Sequence, residues 1–183
     1  GTVQDLAQFS GTTNPYNWRT WQGYSSATVT GGVLEAAIGS IDSGALLLLT
    51  DDDTYNLDMD TYRYLEITVS REAISGEGKI YFGKSGASVA GESATFAMRD
   101  SLGTNKVTMI FDMTADAGWT NGTLTRLGLG IHEGGGSSRN NTTDYLYSVR
   151  LSDGVTAIPE PATLGLMGVA LAGIALLRRR VVR

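Results

Sequence analysis

The sequence predicts an all-β fold, an antiparallel β-sandwich of the jelly-roll kind, followed by one hydrophobic C-terminal helix. Three observations carry this. Several short stretches alternate apolar and polar residues with a period of two, the pattern of half-buried strands. Turn signals rich in glycine, asparagine and aspartate separate them. A single uncharged apolar run of 16 residues, 162–177, stands near the C-terminus.

The strands are expected in this order. Residues 3–9, 27–30 and 33–38 open the series, with Gly31-Gly32 as the turn between the last two. Residues 45–50 form a continuous apolar run and read as a strand buried on both faces, after the turn Asp42-Ser43-Gly44. In 64–70, Leu65, Ile67 and Val69 share one face, with Glu66 and Thr68 on the other. Residues 79–82 and 94–98 follow, beyond Ser75-Gly76. In 106–113 the apolar face is Val107, Met109, Phe111 and Met113. In 124–131, after the turn Asn121-Gly122, it is Leu127, Leu129 and Ile131. In 144–151, after Gly134-Gly135-Gly136, it is Tyr145, Tyr147, Val149 and Leu151. About ten short strands joined by turns point to a sandwich.

The expected organisation is a β-sandwich domain over 1–152, a linker over 153–158 and a sorting segment over 159–183. The first part is the size of one ordinary domain, large enough for a real core. Cysteine is absent, so neither a disulfide framework nor thiolate chemistry is available. The net charge is −5; the tail's four arginines and one glutamate carry +3, which leaves −8 for the rest. An acidic body argues against nucleic acid as a partner.

Candidate chemistry is sparse. The aromatic cluster Tyr16-Asn17-Trp18-Arg19-Thr20-Trp21-Gln22-Gly23-Tyr24 is the densest in the chain. Flat rings stack on the apolar faces of sugars, and Asn, Arg and Gln hydrogen-bond hydroxyls. The competing reading is that Trp18 and Trp21 plug one end of the sandwich. Tyr16, Trp18 and Trp21 are the first candidates for a saccharide site, and Trp119 the second. Asp51-Asp52-Asp53 with Asp58 and Asp60 forms an acidic patch. Its spacing fails the calcium loop of an EF-hand, with Asn56 where glycine belongs and Tyr62 where glutamate belongs. His132 is the only histidine, so the two-histidine zinc motif is excluded. No metal site, catalytic residue or cofactor is expected, and the chain is not expected to be an enzyme.

The tail reads differently. As a helix its apolar run would reach roughly 24 Å, a little short of the ~30 Å hydrocarbon core of a bilayer. Arg178, Arg179, Arg180 and Arg183 follow it and favour the cytoplasmic side, leaving the preceding domain outside. Gly165, Gly168, Ala172 and Ala175 fall at helical spacing on one face, a stripe that would let helices pack closely if the tail were retained in a filament.

Ile158-Pro159-Glu160-Pro161-Ala162-Thr163-Leu164, the run after it and the arginine cluster together resemble the PEP-CTERM sorting signal of bacterial exported proteins. The resemblance implies recognition by an exosortase, a membrane protease-transpeptidase, with Pro159, Glu160, Pro161 and Arg178–Arg180 as substrate determinants. It also implies transient residence in the inner membrane, then placement at the cell surface or in an exopolysaccharide or biofilm matrix. An exported chain is expected to begin at a processed end, here Gly1. The body resembles jelly-roll carbohydrate-binding modules and galactose-binding-like domains. The carrying residues are Leu57-Asp58-Met59-Asp60-Thr61-Tyr62-Arg63-Tyr64-Leu65-Glu66-Ile67, Lys79-Ile80-Tyr81-Phe82, Trp119 to Leu127 and Tyr145 to Leu151. That group often carries an aspartate in its final strand beside a structural calcium; here Tyr147 stands in its place, with Asp144 three residues earlier. The expected function is an exported structural protein of the surface or matrix. The alternatives are a module holding exopolysaccharide, and a homo-oligomer or filament subunit.

Overall fold

The computed structural model describes residues 1–39, 46–51, 54–70, 77–85, 93–97, 105–132 and 141–154. Twelve strands lie among them. They are β1 (Val3–Gln8), β2 (Arg19–Gln22), β3 (Tyr24–Thr30), β4 (Val33–Ile38), β5 (Leu46–Leu49), β6 (Leu57–Asp58), β7 (Tyr64–Ser70), β8 (Glu77–Lys84), β9 (Ser93–Ala97), β10 (Val107–Asp112), β11 (Thr123–His132) and β12 (Thr143–Ser152). They form two six-stranded sheets. The first runs β10-β7-β12-β4-β3, with β1 also paired to β12; the second runs β2-β5-β11-β8-β9, with β6 also paired to β11. The pairings are antiparallel, as the alternating sequence requires.

The inner faces meet in one core. From the first sheet come Leu65, Ile67, Val69, Met109, Phe111, Leu34, Ala36, Ile38, Leu146, Val149 and Leu151. From the second come Leu48, Ile80, Phe82, Leu124, Leu127, Leu129 and Ile131. Each of these side chains other than Ala36 contributes roughly 1.5–3 kcal/mol by leaving water. The run at 45–50 is realised as β5, and Leu48, Leu49 and Thr50 are buried on both sides of it.

The expected apolar face of the last strand is corrected. Asp144 and Leu146 are buried in place of Tyr145 and Tyr147, whereas Val149 and Leu151 are buried as expected. The cause is a bulge: the register of β12 on β7 shifts between Leu146 and Ser148. One extra residue reverses the alternation, so each half of the strand has its own phase. Buried Asp144 accepts a 2.7 Å hydrogen bond from the Tyr24 hydroxyl. β2 and β6 are too short and too polar to show as strands in the sequence.

A second bulge organises the interior. The pairing of β1 with β12 skips Leu6, between Asp5 and Ala7. The Leu6 carbonyl instead accepts the indole N–H of Trp18 at 3.0 Å and the hydroxyl of Tyr55 at 2.9 Å. Trp18 and Tyr55 flank strands of the second sheet, so one carbonyl of the first sheet ties the two together. Asn14 fixes the Trp18 backbone on both sides, accepting from its N–H at 3.0 Å and donating to its carbonyl at 2.7 Å.

The expected linker begins inside the fold. Thr2 N–H donates to the Asp153 carboxylate at 2.9 Å, and Asp153 N–H donates to the Thr2 carbonyl at 3.3 Å. Residues 155–183, with the sorting segment, the expected helix and its small-residue stripe, lie outside the described residues.

Trp18→Phe and Tyr55→Phe each leave the Leu6 carbonyl one donor, and the double variant leaves it none. In urea unfolding each single change is expected to cost about 1–2 kcal/mol, and the pair more than the sum, by roughly 1 kcal/mol or more. Strict additivity would mean that the carbonyl is not the shared element.

Burial, chiefly, pushes the Tyr55 hydroxyl far above its ordinary value of 10.0, with the neighbouring Tyr16 adding to the rise. Above pH 10 the unfolded chain therefore gives up a proton that the folded chain keeps, and stability falls as pH rises. The slope reaches about 1.4 kcal/mol per pH unit for this one group. Chemical denaturation between pH 9 and about pH 11 should show the loss in the parent and a shallower one in Tyr55→Phe.

Candidate functional site

The four aromatic candidates separate by exposure. Trp18 and Trp119 are fully buried, at 0%. Trp18 is the inter-sheet donor described above. Trp119 donates its indole N–H to the Tyr62 carbonyl at 2.9 Å and meets Phe82 edge to face, with centroids 5.0 Å apart. Both indoles satisfy their polar atom inside the protein, as buried tryptophans must, and neither ring is open to a ligand. Tyr16 and Trp21 remain exposed, at 40% and 38%.

Trp21 lies at a register shift of β2 on β5, between Thr20 and Gln22. Its ring meets that of Tyr81 on β8, with centroids 5.3 Å apart and planes at 84°. Ile80 and Phe82 point into the core, so Tyr81 stands on the outer face of the second sheet, and Trp21 with it. β5 and β11 lie between the two strands, a separation of roughly 14 Å for three strand spacings. The rings meet only by folding toward each other across the sheet. The register gives Arg19 opposite Leu49, Leu49 opposite Gly128, and Gly128 opposite Tyr81. At Gly128 an added Cβ would stand 3.0 Å from Leu49 Cδ1 and 3.2 Å from Tyr81 Cβ. Glycine leaves the gap over which the side chains close.

Polar groups border the pair. Arg19 Nη1 donates to the Thr50 carbonyl at 3.2 Å and lies 3.2 Å from an Asp51 carboxylate oxygen. Arg126 Nε donates to the same carbonyl at 3.0 Å. The ammonium of Lys79 lies 5.6 Å from the centroid of the Tyr81 ring. Beside Arg19, Tyr16 and Asn17 adopt left-handed backbone, φ 68° and 49°, unusual for residues with side chains. The turn is held by Asn17 Nδ2, which donates to both Asp51 oxygens at 3.1 and 3.0 Å, and by Tyr16 packing on Tyr55 with centroids 5.0 Å apart.

The acidic patch is committed to local structure. Asp51 serves Arg19 and Asn17. Asp58 accepts from Thr61 Oγ1 at 2.7 Å and Asp60 N–H at 3.1 Å, and these bonds, Thr61's first, hold its carboxyl below the ordinary range. Asp60 accepts from Asn121 N–H at 3.0 Å. Asp52 and Asp53 lie outside the described residues, as does Glu133. Among the described residues no group of three or more His, Cys, Asp or Glu is placed to hold a metal.

Sequence reasoning selected Trp21 and Tyr16 but missed Tyr81. The signal was present: in Lys79-Ile80-Tyr81-Phe82, Ile80 and Phe82 claim the inner face and put Lys79 and Tyr81 on the other. That Tyr81 would meet Trp21 was not readable, because two strands from elsewhere in the chain separate them.

Residues 157–180 match the PEP-CTERM protein-sorting motif. The motif marks the chain for export through an exosortase system, with transient membrane anchoring and surface or extracellular placement. No curated protein shows a significant match by sequence. The fold is similar to solved family 29 carbohydrate-binding modules. CBM29_1 from Piromyces equi is 14% identical, with a TM-score of 0.52, over 88% of this chain and 95% of that one. A mutant of CBM29-2 solved with mannohexaose is 17% identical, with a TM-score of 0.50, over 84% of this chain and 94% of that one. At these identities the likeness establishes the jelly-roll architecture of the body.

Of the three tryptophans, Trp21 alone should meet a dissolved quencher. Acrylamide titration of the native protein is expected to resolve one accessible emitter, which Trp21→Phe removes and Trp119→Phe does not. Equal quenching of all three would contradict the burial of Trp18 and Trp119.

Proposed function

We propose that the chain is a non-enzymatic exported protein of the cell surface or exopolysaccharide matrix, and that its sandwich holds polysaccharide on the outer face of the second sheet. The observation that carries this is the Trp21–Tyr81 pair, rings in contact at 5.3 Å with Trp21 still 38% exposed. The planes stand at 84°, so Tyr81 braces Trp21 edge to face and the exposed indole presents one apolar surface to the C–H face of a sugar ring. Arg19 and Arg126, aligned by the Thr50 carbonyl, border it with donors for hydroxyls. Similarity to modules one of which was solved with mannohexaose supports a saccharide as ligand. The sorting motif supports the setting, since it directs the domain to where exopolysaccharide lies. Binding would be positional: the tail delivers the domain and the aromatic face attaches it to the matrix.

Affinity electrophoresis through gels carrying a panel of soluble polysaccharides tests this. At least one polymer is expected to retard the protein, and Trp21→Ala and Tyr81→Ala should each weaken that retardation about tenfold or more, as loss of a central aromatic anchor does. Trp21→Ala that binds like the parent, with a native melting curve, would remove the platform. Failure of every polymer, with the protein still recovered in the matrix fraction, would favour a structural role through contacts between copies.

A further inference from the structure

The platform has a charge preference that the composition of the body hides. The chain outside the tail carries −8, yet the cations Arg19, Arg126 and Lys79 gather around the aromatic pair. They are not equivalent. Arg19 is committed to Asp51 and to the Thr50 carbonyl, and Arg126 to the same carbonyl. Lys79 is committed to neither. It shares the outward parity of Tyr81, is half-buried, and lies 5.6 Å from the Tyr81 ring centroid. Among the described residues it pairs with no carboxylate.

An ammonium held over an aromatic face is oriented without being neutralised. An ammonium carries three N–H donors, and the ring face takes none of them as a conventional acceptor would. Neutral hydroxyls would satisfy it weakly. A sugar carboxylate would add a charge-assisted bond.

We infer that the polysaccharide recognised by this face is acidic, with uronate-type sugars whose ring stacks on Trp21 and whose carboxylate meets Lys79 beside Tyr81. This rests on the platform reading above and narrows it to a ligand class.

The test uses the full chain in mild detergent and two matched probes, polygalacturonate and the same polymer after carboxyl reduction. The parent is expected to bind polygalacturonate more tightly, and added salt should erase the difference. Lys79→Gln should weaken polygalacturonate binding by about fivefold and leave the reduced polymer unchanged, with an unaltered melting curve. Equal affinity for the two polymers, or equal loss on both in Lys79→Gln, would overturn the acidic preference and leave the platform standing. Polygalacturonate binding that survives Trp21→Ala would overturn the platform as well. Binding to neither polymer would overturn the acidic preference, and the wider panel would then judge the platform alone.

Discussion

The carbonyl of Leu6 is the constraint on which the interior depends. The bulge of β1 on β12 takes it out of the sheet ladder and turns it toward the second sheet. A buried carbonyl without a partner is costly, so the fold must bring donors to it. Trp18 and Tyr55 do so at 3.0 and 2.9 Å. Fixing Trp18 also fixes the chain on either side of it: Asn14 clamps its backbone, β2 starts one residue later, and Trp21 is delivered to the outer face. The same contact that joins the sheets thus decides which tryptophan is core and which is surface. The face that resembles a sugar platform is a consequence of how the interior is satisfied.

The outer face is governed by space. Two rings three strands apart touch because, of Leu49 and Gly128 that lie between, Gly128 has no side chain. Gly128 leaves room where any Cβ would press on Leu49 and Tyr81. Leu49, on the outer parity of β5, is only 4% exposed because this cover lies over it. The arginines are immobilised on the Thr50 carbonyl, whose threonine is itself tied to Leu127 by its hydroxyl. An apolar patch bordered by fixed donors would cost a ligand little ordering on binding.

Much of the fold was legible, and the failures have two causes, bulges and a strand too short to show a period. Strand positions followed from alternation, because a strand between core and solvent must alternate. β12 defeated the rule halfway along: Tyr145 and Tyr147 match the parity of Val149 and Leu151 in sequence but not in space, since the bulge inserts a residue between the two halves. β2 shows in the sequence only as an aromatic cluster, because four residues cannot display a period. Trp18 and Trp21, three residues apart in similar company, could not be told apart by sequence. Burial depends on the bulge in β1, and no residue near the tryptophans signals it.

The sequence by itself determined the architecture, through the periodicity of its apolar residues, and the destination of the chain, through a contiguous motif at residues 157–180. Both are local in the chain: alternation is a property of neighbours, and the sorting motif is a contiguous stretch of sequence. Only the tertiary structure decided the candidate site. Trp21, Tyr81, Gly128 and Lys79 come from β2, β8 and β11, and sheet register alone makes them neighbours. Register is set by where strands far apart in sequence pair and bulge, which no stretch of either strand encodes alone.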